Sequence, residues 1–151
     1  MQIRIDGTDL PGNSCGPSPD SPGGYRNIHV GLQRRGRPSE LRGVVSATEP
    51  AASWTIDCEL VSSAAGPDLR GPYIQGPPRG RFIYLNWGTV DAAGTFTMFR
   101  RAKLMLDAVP ADVIGESARS GLLVGTLGLT DAKGHPSCAA MRPPAIEWTA
   151  G

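Results

Sequence analysis

Apolar and polar residues alternate with a period of two through most of the chain. Within residues 2–6, Ile3 and Ile5 point one way and Gln2, Arg4 and Asp6 the other. From Tyr25 to Arg34, the apolar side is Ile28, Val30 and Leu32, against Asn27, His29 and Gln33. The clearest alternation runs from Ser53 to Val61, with Trp54, Ile56, Cys58 and Leu60 opposed by Thr55, Asp57 and Glu59. Such segments predict strands with one face in a core and the other wet or lining a cavity. Leu41 to Ala47 reads as a further short strand, and Arg70 to Pro78 as an extended piece held between Gly/Pro pairs.

The densest β-branched and aromatic cluster is Gly80 to Gly88. Asp91-Ala92-Ala93-Gly94 follows, a sequence suited to a type I turn closed by a left-handed glycine. Thr95 to Leu106 has two readings. Phe99, Ala102, Leu106 and Val109 fit a helix, whereas Phe96, Met98, Ala102, Leu104 and Leu106 fit a strand. The turn and the β-rich partner favour the strand. Residues near 81–88 should therefore pair antiparallel with residues near 96–104. In a regular strand Arg100 then faces the core, and a bulge between Met98 and Ala102 would turn it outward.

Helical signals gather at Pro110 to Gly121: proline near the first turn, early acids, then Arg119 and a closing glycine. Leu122 to Leu129 reads as an apolar strand. A second Asp-Ala-x-Gly turn, Asp131 to Gly134, predicts another hairpin whose return arm is Ser137 to Trp148. Pro143 and Pro144 push that arm toward a sheet edge or bulge. Residues 7–24, rich in Gly, Pro and Ser, read as a long loop. The expected fold is a single mainly β domain over 1–151: an antiparallel β-barrel or sandwich of about seven or eight strands, with one short helix near residues 110–120. A barrel is the first choice.

Composition adds little: 20 glycines and 14 prolines agree with many turns, and the formal net charge is +1. That balance gives no overall field toward nucleic acid or membrane, so neither is expected as a partner. Lys103 and Lys133 are the only lysines among 15 basic residues. Three scattered cysteines fit neither a disulfide framework nor a zinc pattern. The start lacks an apolar signal core and no apolar run approaches transmembrane length, so the cytoplasm is expected.

Candidate chemistry is sparse. Gly12-Asn13-Ser14-Cys15-Gly16 matches a nucleophile elbow in letters, but Pro17 and Pro19 forbid the helix an elbow needs. His135, between Gly134 and Pro136, reads as a surface turn residue. His29 shares the polar-face pattern of Asp57 and Glu59, so an acid/base pair forms if those faces line one cavity. One histidine with scattered carboxylates is thin support for a metal, and no cofactor is expected. Arg34-Arg35-Gly36-Arg37-Pro38 reads as a basic turn. Arg100, Arg101 and Lys103 are the sharpest charge feature, suited to a phosphate or carboxylate, with Tyr84 or Trp87 for apolar contact. The favoured function is therefore binding of a small molecule, such as an anionic metabolite, in a barrel or sandwich pocket. The alternatives are a cofactor-independent isomerase, cyclase or hydrolase using His29 with a carboxylate, and a partner-binding module with an exposed strand edge.

Several long strings carry a resemblance. They include Asn27-x-His29-Val30-Gly31-x-Gln33, Arg70-Gly71-Pro72-Tyr73-Ile74-Gln75-Gly76, Arg81-Phe82-Ile83-Tyr84-Leu85-x-Trp87-Gly88 and Phe99-Arg100-Arg101-Ala102-Lys103-Leu104. On these the chain resembles a small actinobacterial family of uncharacterised proteins, a domain of unknown function. The resemblance implies a single stand-alone domain and brings no activity, cofactor or catalytic residue with it.

Overall fold

The computed structural model describes residues 1–8, 12, 14–128, 138 and 145–151. Its strands are β1 (Gln2–Thr8), β2 (Ser14–Cys15), β3 (Tyr25–Arg26), β4 (Ile28–Arg34), β5 (Arg37–Ser46) and β6 (Ala51–Asp57). They continue with β7 (Glu59–Ser63), β8 (Gly66–Arg70), β9 (Phe82–Val90), β10 (Phe96–Met105), β11 (Leu122–Gly128) and β12 (Ile146–Ala150), with the helix α1 (Ala111–Ser120) between β10 and β11.

Eight of these strands make two four-stranded sheets, ordered β12-β11-β1-β6 and β10-β9-β4-β5. The pairs β2–β3 and β7–β8 are separate ribbons. Neither large sheet closes on itself, so the architecture is sandwich-like and the barrel preference does not hold. A barrel requires its end strands to pair, and β12 and β6, like β10 and β5, end their sheets. One pair also departs from the antiparallel expectation: β1 and β11 run parallel, Gln2 beside Leu122. Period-two patterning reports which face is buried; it carries no information on the direction of a distant neighbour.

The inward faces of both sheets feed one core. Ile3 and Ile5 of β1, Leu32 of β4 and Leu85 of β9 are fully buried, and Trp54 is 2 % exposed. Each such side chain contributes about 1.5–3 kcal/mol relative to exposure. The indole Nε1 of Trp54 donates to the Gly43 carbonyl at 2.7 Å, which ties β6 of one sheet to β5 of the other.

The β9–β10 hairpin forms as the turn sequence predicts. Asp91 Oδ1 accepts from the backbone N–H of Ala93 and of Thr95, both at 2.9 Å, and Gly94 takes φ +82°. A bulge falls between Met98 and Arg100. It lies on the turn side of Arg100, so Arg100 stays in step with Ala102 and Leu104 and stands opposite Trp87. The helix also forms where expected. Pro110 precedes it, Gly121 closes it at φ +82°, and the Gly121 N–H reaches the Ser117 carbonyl.

Two expectations need correcting. Ser53 to Val61 is not one strand: β6 ends at Asp57, Cys58 intervenes, and β7 pairs with β8 instead of β1. The alternation survives because it records sidedness, which a change of neighbour does not disturb. The cysteines are not all unpaired: Cys15 and Cys138 form a disulfide across a sequence separation of 123. Sequence distance says nothing of spatial distance. The bond pins β2, which lies within the 7–24 segment and pairs with β3 just beyond it, and Cys138 N–H adds a hydrogen bond to the Gly16 carbonyl at 3.1 Å. The predicted turn at 131–134, His135 and the first part of the return arm lie outside the described residues. The end of that arm is β12, at a sheet edge.

Candidate anion-binding cleft

The basic turn noted in the sequence closes the β4–β5 hairpin. Gly36 supplies φ +69° at its tip. Arg34 and Arg37 pair across the ladder, and the next rung back is Gln33 with Leu41. Residues 38–40 therefore have no partner on β4, a bulge in which Pro38 costs no ladder bond. The bulge returns Glu40 to its own turn. Its carboxylate accepts from Arg37 Nη1 at 2.9 Å and lies 3.8 Å from Arg34 Nε.

A second wall comes from the end of β8 and the two residues after it. Arg70-Gly71-Pro72 forms a ridge packed on Asp57 and Cys58, so closely that a Cβ at Gly71 would lie 2.8 Å from the Asp57 carbonyl oxygen. The Arg35 N–H donates to the Pro72 carbonyl at 2.7 Å, which docks the hairpin turn onto the ridge. Between them lies an open cleft of about 590 Å³, lined by Arg34, Arg35, Arg37, Arg70, Gly71 and Pro72. Its volume falls within the usual range of small-molecule sites. Across the ridge, Asp57, Cys58 and Glu59 share Arg70 and Pro72 with a smaller cleft of about 270 Å³.

Arg70 is held from below. Asp68 is 6 % exposed, and its Oδ2 accepts from Arg70 Nε at 2.8 Å. The same carboxylate takes a bidentate pair from Arg81, Nε to Oδ1 at 2.9 Å and Nη2 to Oδ2 at 3.0 Å. Hydrogen bonds from Arg81 and then Arg70 lower the Asp68 pKa to about 2, and the Asp68 carboxylate in turn raises that of Arg81. Arg81 also donates to the Gly76 carbonyl. A small recess of about 40 Å³ beside this pair, reaching Leu106 and Ile114, has room for little beyond water.

The cations singled out in the sequence lie elsewhere, on β10. Arg101 and Lys103 share the outward face of the second sheet with Tyr84 and Asn86. Arg101 Nη2 donates to Gln33 Oε1 at 2.7 Å and Nε to Asn86 Oδ1 at 3.3 Å, and its guanidinium sits 4.2 Å above the Tyr84 ring. Lys103 lies over Phe82 at 4.5 Å. Asn86 and Gln33 are buried despite facing outward, and Asn86 Nδ2 donates to Gln33 Oε1. Arg100 is half-buried and engaged within the protein. Trp87 is 2 % exposed in the core. Thus Tyr84, Arg101 and Lys103 come together, while Trp87 faces the other side of the sheet.

His29 lies on β4 with a ring nitrogen 2.9 Å from the Asn27 carbonyl. Asp57, on β6 of the other sheet, accepts from Gln2 Nε2 at 3.1 Å, and Glu59 is on the β7 ribbon. No hydrogen bond or ion pair joins His29 to either carboxylate. Among the described residues no group of three or more His, Cys, Asp or Glu side chains is placed to hold a metal, and no helix is long and apolar enough to cross a membrane.

Sequence reasoning identified the Arg34–Arg37 turn but not its partner. Arg70 lies more than thirty positions away, and the Arg35–Pro72 hydrogen bond helps bring it to the turn. Neither the curated proteins nor the solved structures hold a significant match to the chain. A protein-family profile matches it from residue 1 to residue 151. The chain belongs to that family, a family of unknown function termed DUF5990.

Proposed function

We propose that this protein binds a small anionic molecule in the cleft between the β4–β5 turn and the Arg70–Pro72 ridge. The observation that carries this reading is the gathering of four arginines from two segments around one cleft, in a chain whose formal net charge is only +1. Guanidinium groups offer planar forks matched to phosphate and carboxylate oxygens. Like charges facing each other across a ladder are unfavourable, and the single carboxylate of Glu40 is shared between Arg34 and Arg37, which leaves Arg35 without a counter-charge in the same turn. The acid/base alternative has less support, because His29 binds the Asn27 carbonyl and does not line the cleft that Asp57 and Glu59 share. Arg101 and Lys103 are engaged with amide and aromatic side chains on a different face and are assigned a supporting part at most.

The test is thermal melting at fixed ionic strength in chloride, sulfate or phosphate. The divalent anions should raise Tm more in the wild-type protein than in Arg35→Ala, the shift in the variant being the general stabilisation these salts give any folded protein. Equal shifts in both proteins would remove the reading. On location, cytoplasmic residence predicts Cys15 and Cys138 as thiols in vivo, whereas an oxidising compartment predicts the bond; thiol trapping of freshly lysed cells distinguishes them.

A further inference from the structure

We infer that the ligand of this cleft is a compact polyanion, bearing at least two phosphate or carboxylate groups and no ring that the protein recognises. The inference rests on the anion-binding reading above and narrows it. Three arginines stand on the hairpin side and one on the ridge side, so cations face the cleft from two walls. A single tetrahedral anion can engage one fork or two; a ligand with two charged groups can engage both walls at once.

The carboxylates nearby reduce this excess without removing it: Asp57 and Glu59 lie across the ridge, Glu59 opposite Arg70 in the β7–β8 ladder, and neither lines the arginine cleft. Glu40 is divided between Arg34 and Arg37, and Asp68 between Arg70 and Arg81. Arg35 has neither an ion pair nor a side-chain hydrogen bond among the described residues; only its backbone N–H is committed, to Pro72. Its guanidinium therefore reaches a ligand without first breaking a protein contact.

The remaining lining argues for the absence of a recognised ring. Gly71 and Pro72 are the only cleft residues that are not arginine, and no aromatic side chain lines it. A nucleobase bound with selectivity needs a stacking surface or fixed amide donors and acceptors. Neither is offered there, since the Tyr84, Gln33 and Asn86 side chains on the outer sheet face bind Arg101 and one another.

Isothermal titration at fixed ionic strength with inorganic phosphate, pyrophosphate, tripolyphosphate, citrate and ATP tests the inference on the full chain. Pyrophosphate should bind at least about tenfold tighter than phosphate. ATP should bind within a few-fold of tripolyphosphate, and Arg35→Ala and Arg70→Ala should each weaken every polyanion. Citrate against pyrophosphate separates the two chemical sources: the tighter one names the natural group. Equal affinity for phosphate and pyrophosphate would overturn the inference while leaving anion binding intact. ATP binding more than about tenfold tighter than tripolyphosphate would likewise overturn it, because the nucleoside would then be recognised. Absence of binding, or binding indifferent to Arg35→Ala, would remove the anion-binding reading itself. Because Arg70→Ala also takes a partner from Asp68, Arg35→Ala, with no side-chain partner to lose, is the deciding variant.

Discussion

Arg34 and Arg37 stand directly opposite each other in the rung that closes the β4–β5 hairpin, with Glu40 returned by the bulge to serve both. Glu40→Gln should therefore lower stability by at most about 1 kcal/mol, the scale of exposed pairs. The loss should shrink at high salt as screening weakens the arginine repulsion. The same change should enlarge the Tm increase produced by sulfate, because the competing carboxylate is gone. Melting curves across a salt series check both.

Asp68 is the opposite case, a buried carboxylate between two guanidinium groups. Asp68→Asn leaves Arg81, 18 % exposed, without its counter-charge. The expected cost is about 3–5 kcal/mol, measured as a shift of the urea midpoint with unchanged slope.

Acid should act through the same group. Its pKa falls from 3.8 to about 2 on folding, so its contribution is complete above pH 4 and disappears as pH drops through 2. That contribution is on the order of 2 kcal/mol. Urea unfolding between pH 5 and 2 should show the wild-type protein losing stability that Asp68→Asn has already lost.

The Cys15–Cys138 bond closes a loop of more than a hundred residues. Cys15→Ser, Cys138→Ser and chemical reduction should each cost about 2–5 kcal/mol. The double substitution should cost no more than either single one.

Cys58 is free and half-buried, and burial leads the causes that push its thiol pKa up to about 11. In the oxidised, folded protein a thiol reagent should label this residue slowly at neutral pH and faster as pH rises toward 11. Rapid labelling at pH 7 would contradict the geometry.

Local features were legible in the sequence, and distant meetings were not. The β9–β10 hairpin declared itself because Asp91 and Gly94 encode their turn over a few residues. Pro110 and Gly121 bounded α1 for the same reason. Trp54 and Ile56 were readable as core residues. The jump at Cys58 from one sheet to a ribbon was not, since alternation continues through it. The cleft was half visible: Arg34, Arg35 and Arg37 are adjacent in sequence, whereas Arg70 reaches them through backbone docking that no side-chain pattern records. The pairing of Cys15 with Cys138 needed the fold itself.

The disulfide also bears on how the molecule would carry load. The Gln2 N–H binds the Gly121 carbonyl and the Gly151 N–H binds the neighbouring Leu122 carbonyl, each at 2.9 Å, so both chain ends sit at one end of the same sheet. Tension across them meets β12 first, an edge strand with one neighbour, and unzips it one hydrogen bond at a time from Gly151. β1, held between two neighbours, yields later. Beyond that the force passes through sulfur rather than peptide, and everything between Cys15 and Cys138, including the arginine cleft, is shielded from extension while the bond is intact.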